Sequence, residues 1–206
     1  MKGKIILFFL TILTAYGTIA QTKQVEVKWI EEGIELDGEL NESVWSQANP
    51  ATNFLQHFPT DSLQATYQTE VRMLYDEKYL YVGIKAYSPG SDYVVPSLRR
   101  DFRARGNDNI SLMFDTFNDG NNAFFFGTNP EGVQREALIA GGGSGNGGFN
   151  TSWDVKWQNA ASVGEDYYMS EMKIPLSSFK FRGGAKKWRF NLYRFDTQSN
   201  EWSTWI

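Results

Sequence analysis

Tyr79-Leu80-Tyr81-Val82-Gly83-Ile84-Lys85-Ala86 is the stretch on which the fold reading turns. Leu80, Val82, Ile84 and Ala86 fall on one side of an extended chain, while Tyr79, Tyr81 and Lys85 fall on the other. That period of two marks a strand with one buried face. Upstream, Val71-Arg72-Met73-Leu74-Tyr75 is a second strand, and Asp76-Glu77-Lys78 is a turn of hairpin length. Downstream, Ile110, Leu112 and Phe114 alternate with Ser111, Met113 and Asp115. The turn-forming run Phe117-Asn118-Asp119-Gly120-Asn121-Asn122 then leads into a strand over Ala123 to Thr128. Val155 to Val163 and Tyr167 to Ile174 flank Gly164-Glu165-Asp166 as another hairpin. Trp188, Phe190 and Leu192 alternate with Arg189, Asn191 and Tyr193, and Trp202 to Ile206 reads as a strand that ends before its turn. Helix is confined to Glu39 to Ala48 and a turn at Leu176 to Phe179.

Short strands separated by Gly, Asn and Asp turns, with no strand–helix–strand rhythm, predict an all-β antiparallel sandwich. Two long connections interrupt it: residues 87–109, and the glycine-rich residues 141–150. Long loops at the ends of a sandwich are where binding sites are usually found.

Composition narrows the chemistry. The 206 residues include no Cys and one His, so disulfides, thiolate nucleophiles, thiolate metal sites and two-histidine metal motifs are excluded. Twenty basic residues against 24 acidic ones give no broad attraction to phosphate backbones, and nucleic acid is not an expected partner. Hydrophobic content of 41% with 16% aromatics is that of a folded chain. Residues 1–20 read as an export signal: Lys2 and Lys4, an uncharged run from Ile5 to Ala15, then Thr18-Ile19-Ala20 before Gln21. The mature domain is then 21–206, with 18 basic against 24 acidic residues and a net charge of −6.

Leu36-Asp37-Gly38-Glu39-Leu40-Asn41-Glu42-Ser43-Val44-Trp45 resembles the opening of the family 9 carbohydrate-binding modules. Val71 to Gly83, Asp108 to Asp115 and Glu171-Met172-Lys173-Ile174-Pro175 resemble that family's later strands in the same order. Arg99-Arg100-Asp101, the run Asp115 to Gly120 and Asn129 to Arg135 are similar to a narrower group of exported bacterial proteins. In that group the module precedes a large C-terminal region read as a β-barrel. The resemblance implies a β-sandwich, carbohydrate as ligand, and a barrel downstream of this chain. In sugar-binding members one of two ring-clamping tryptophans precedes the central-strand Asp by three residues; that position is Arg105, before Asp108. A family Glu that contacts sugar hydroxyls falls at Ser111. An Arg–Asn pair falls at Gly127 and Asn129, and the second clamp tryptophan falls at or past the end of the chain.

A sugar site needs flat aromatic faces plus planar amides, carboxylates or arginines. The candidates are Arg105, Asp108 and Asn129, with Trp153 beside the glycine-rich loop as the stacking residue. Trp45 and Trp157 are read as core. The Arg99 to Arg105 cluster is a solvated loop, an anion clamp or a dock for the downstream barrel. Asp115 and Asp119 are turn residues first and ligands of a structural calcium second. The glycine run lacks the ending of a phosphate loop, and Ser144 lacks the second glycine of a nucleophile elbow. Three functions are ordered accordingly: a non-catalytic carbohydrate-binding module, a scaffold packed on an outer-membrane barrel without sugar binding, and a glycosidase. The last needs a carboxylate pair that no spacing here fixes.

Overall fold

The computed structural model of the chain describes residues 23–144 and 148–205; the export signal read at residues 1–20 lies outside them. Twelve strands follow in order: β1 (Lys28–Trp29), β2 (Leu55–Phe58), β3 (Thr69–Tyr75), β4 (Tyr79–Tyr87), β5 (Asn109–Asp115), β6 (Ala123–Thr128), β7 (Gln134–Ile139), β8 (Phe149–Asn150), β9 (Gln158–Val163), β10 (Tyr167–Pro175), β11 (Arg189–Asp196) and β12 (Glu201–Thr204). They form two sheets, one ordered β1-β3-β4-β10-β9 and the other β2-β12-β11-β5-β6-β7-β8. All pairings are antiparallel except the two-residue contact of β1 with β3. The sandwich expected from the alternation is therefore present.

The buried faces are those the period of two selects. Leu80, Val82, Ile84 of β4 and Val71, Met73 of β3 join one core with Ile110, Leu112, Phe114 of β5 and Leu192 of β11. The helix expected over Glu39 to Ala48 contracts to one 3-10 turn, Ser43–Gln47. Strand β9 begins at Gln158 rather than Val155.

The other side of the five-stranded sheet is covered over part of its area, around Leu74, Tyr81 and Glu171. Tyr81, placed on the solvent side by its alternation, is 1% exposed, because the segment from Ile30 to Ala48 lies over it. Glu171 of β10 holds that segment down. Its carboxylate accepts the backbone N–H groups of Asp37 and Gly38 at 3.0 Å each and the Trp45 indole N–H at 3.2 Å. Gly38 has φ of +90°, and a Cβ there would strike the Ala161 backbone at 2.6 Å, so the turn requires glycine. A Cβ on Gly83 would meet Leu40 Cδ2 at 2.6 Å and the Trp45 ring at 3.0 Å. The Asp-Gly…Trp signature is thus a lid on the smaller sheet, anchored by one buried carboxylate.

Candidate functional site

The seven-stranded sheet has an outward face of its own. The inward positions of its central strand are Ile110, Leu112 and Phe114, so Asn109, Ser111, Met113 and Asp115 point outward. Register carries the same face to Arg189, Asn191, Tyr193 and Phe195 on β11 and to Trp202 and Thr204 on β12. In the other direction it reaches Phe125 and Gly127 on β6 and Arg135 on β7.

At one end of this face four rings converge. Trp202, 40% exposed, lies 5.4 Å from His57 at 85°, 5.8 Å from Tyr193 and 6.2 Å from Phe195. His57 is in turn 6.5 Å from Tyr193. The rings meet edge-on or tilted rather than stacked, and Trp202 keeps part of its surface open. Asn191 stands beside this platform. Its Oδ1 accepts the Thr204 hydroxyl at 2.9 Å, which orients the amide. A partly exposed indole with an oriented amide near it suits a sugar ring, whose C–H face stacks while its hydroxyls bond at the edge.

At the other end, Arg135 sits among three phenylalanines, its guanidinium carbon 4.9 Å from the Phe125 ring, 5.3 Å from Phe149 and 5.9 Å from Phe102. Desolvation lowers its pKa below the usual arginine value, and the charge of Asp101 offsets this only in part.

The four residues selected from sequence do not gather at one place. Arg105 is exposed, in the turn closed by Asn107 N–H donating to the Ala104 carbonyl. Asp108 is 2% exposed and holds two loops together: it accepts the backbone N–H of Val94 at 2.7 Å and, from Thr197, the N–H at 2.8 Å and the hydroxyl at 2.6 Å. Asn129 is fully buried, its Oδ1 closing the following turn through Glu131 N–H and Val133 N–H, and its Nδ2 without a partner. Trp153 packs inward, 5.6 Å from Phe124 and 5.8 Å from Phe126. Asn129 follows β6 on its outward side, Arg105 lies in a loop before β5, and Asp108 and Trp153 belong to the interior side.

Sequence reasoning passed over Trp202, His57 and Arg135. The alternation in β11 already placed Asn191 and Tyr193 off the core and was the one available signal. The arginine cluster is partly consumed internally: Arg100 pairs with buried Glu136 and, at 2.9 Å, with Asp154. Asp115 accepts from Phe117, Asp119 and Gly120 N–H, and Asp119 from Asn121 and Asn122, so both carboxylates serve their turns. Among the described residues no group of three or more His, Asp or Glu side chains is placed to hold a metal ion.

A two-sheet, almost wholly antiparallel sandwich with exposed rings on its larger sheet defines the class, an all-β domain. The chain belongs to the family described as carbohydrate family 9 binding domain-like, which it matches over residues 36–206. Its backbone is similar to a family 9 module from Caldicellulosiruptor kristjanssonii in complex with cellotriose, at 16% identity and a TM-score of 0.59, covering 86% of this chain and 80% of that one. The same description holds for a family 9 module of that organism in complex with glucose, at 14% identity, TM-score 0.59, and coverage of 86% and 83%. A Bacteroides uniformis protein aligns with a TM-score of 0.62 at 14% identity, covering 87% of each chain. At these identities the likeness is one of fold. No curated protein matches the sequence.

Proposed function

We propose that this chain is a non-catalytic carbohydrate-binding module and that it takes its ligand on the ring platform of His57, Tyr193, Phe195 and Trp202. The observation that carries this reading is the exposure of Trp202 within a fixed cluster of rings, beside an amide oriented by Thr204. Family membership and the saccharides bound by two structural relatives support it. Binding proceeds by stacking and hydrogen bonding, with no bond made or broken. In the wider setting, the domain is exported through the signal at residues 1–20 and serves carbohydrate catabolism in the periplasm, at the outer membrane or on the cell surface, ahead of a C-terminal barrel.

Titration with glucose, cellobiose and cellotriose, followed by tryptophan fluorescence, tests the reading. A saturable change that Trp202→Ala removes without altering the melting temperature is expected. No response up to millimolar sugar rejects it and leaves the second function, a scaffold packed on the barrel. For that reading, the free arginines of the Arg99 to Arg105 loop supply the contact.

A further inference from the structure

Three of the four acids on the strands of the seven-stranded sheet lie on its inner side. Its acids Glu136, Asp196 and Glu201 are buried and engaged: Glu136 by Arg100 and the Trp157 indole, Asp196 by Arg194, Glu201 by Gln56 and Thr66. The fourth, Asp115, is on the outward side across from Arg189 but buried, its oxygens accepting from the N–H groups of its own hairpin. Its outward-facing cations, Arg135 and Arg189, enter none of the ion pairs among the described residues. In a chain of formal charge −4, Arg135 thus stands on the outward face with no acid across from it in register.

Arg135 is the better placed of the two. Three phenylalanine rings fix its guanidinium and strip part of its water, while no protein acceptor takes its N–H groups among the described residues. Asp101, the acid that acts on it, has its Oδ1 occupied by the Glu136 backbone N–H at 3.2 Å. Directly across in register is Gly127, with no side chain to compete, then Ser111, then Tyr193 of the platform. Three strand spacings separate Tyr193 from Arg135, about 14 Å, a distance for a short oligosaccharide lying across the strands.

We infer that the outward face selects an acidic glycan, with a uronate carboxylate held by the Arg135 guanidinium while a neighbouring sugar stacks on the Trp202 platform. A planar carboxylate matches the guanidinium fork with two parallel hydrogen bonds, and partial desolvation strengthens the pair. This rests on the carbohydrate-binding reading and adds the charge of the ligand to it.

The test compares trigalacturonate with its fully methyl-esterified, neutral counterpart by calorimetry on the chain at low and high salt. The acid is expected to bind at least about tenfold more tightly at low salt, with the margin shrinking as salt screens it. Arg135→Gln should erase the margin, weakening the acid at least about tenfold and the ester far less. Arg135→Lys, which keeps the charge and loses the fork, should weaken the acid severalfold and decides the matter if the first variant does not fold. Trp202→Ala should weaken both ligands. Equal binding of acid and ester that depends on Trp202 overturns the acidic preference and leaves sugar binding standing. An acid preference that survives both Arg135 variants also overturns it, and binding of neither ligand removes both readings.

Discussion

Arg194 and Asp196 face the same way on β11, both inside the sandwich, with Nη2 of the first 2.5 Å from Oδ2 of the second. Arg194 is 1% exposed and reaches across to the other sheet, donating to the carbonyls of Tyr67, Gln68 and Tyr87 and to the Thr69 hydroxyl. Asp196 accepts in addition from Ser88 Oγ, Ser199 N–H and Ser199 Oγ. One charged pair thus fastens both sheets and the loop after β4. Removing either partner strands a buried charge, so Asp196→Ala and Arg194→Ala should each cost about 3–5 kcal/mol. Urea unfolding measures this, and a loss under about 1 kcal/mol would show the pair to be dispensable.

Trp202 and Trp153 should answer oppositely to truncation. Trp202→Ala removes a ring that is largely outside the core, and is expected to abolish sugar binding with a stability change within about 0.5 kcal/mol. Trp153→Ala opens space beside Phe124 and Phe126 and should cost about 2–4 kcal/mol with binding retained. Calorimetry and thermal melts on the two variants check the contrast.

Glu171 gives the fold a pH dependence. Burial pushes its carboxyl up to about 7, against the pull of three N–H donors. A carboxyl whose folded value is raised adds stability that is complete below its unfolded value near 4.5 and is lost as pH rises through 7. Between those limits the contribution is at most about 3 kcal/mol. Unfolding free energy measured from pH 4.5 to 7.5 should therefore fall less steeply in Glu171→Gln than in the natural chain. Parallel slopes would assign the lid's anchor to hydrogen bonding alone.

The Asp115 hairpin should be indifferent to calcium, since its carboxylates are spent on backbone N–H groups. Melting temperatures in millimolar calcium and in chelator are expected to agree within about 1 °C; a bound ion would raise the former by mass action. A rise of several degrees would identify Asp115 and Asp119 as ligands after all.

The fold was legible where burial and alternation coincide. In β4, β5 and β11 the apolar residues point inward and name the core. Two residues broke the pattern for opposite reasons. Tyr81 is polar-side by alternation and buried by a lid from far along the chain, whereas Arg194 holds an inward position that an apolar residue would ordinarily fill. Local pattern contains neither contact. The same limit governs the site. Tyr193 and Asn191 were visible as the non-core side of β11, but His57 reaches Trp202 only because β2 pairs with β12 across most of the sequence. Trp153 follows the glycine-rich run but packs on Phe124 and Phe126, a direction its irregular stretch gives no period of two to reveal.

The margin of the smaller sheet is covered where another extended chain could otherwise pair with it. β9 carries no charged residue and would offer bare backbone to any passing extended chain. Two glycine turns occupy it instead. Gly38 rests on Ala161 while its carbonyl takes the Ser162 hydroxyl, and the Gly132 carbonyl takes the Asn159 amide. Any bulkier residue at position 38 lifts that cover, so a substitution remote from the ring platform would express itself first as clumping and poor solubility.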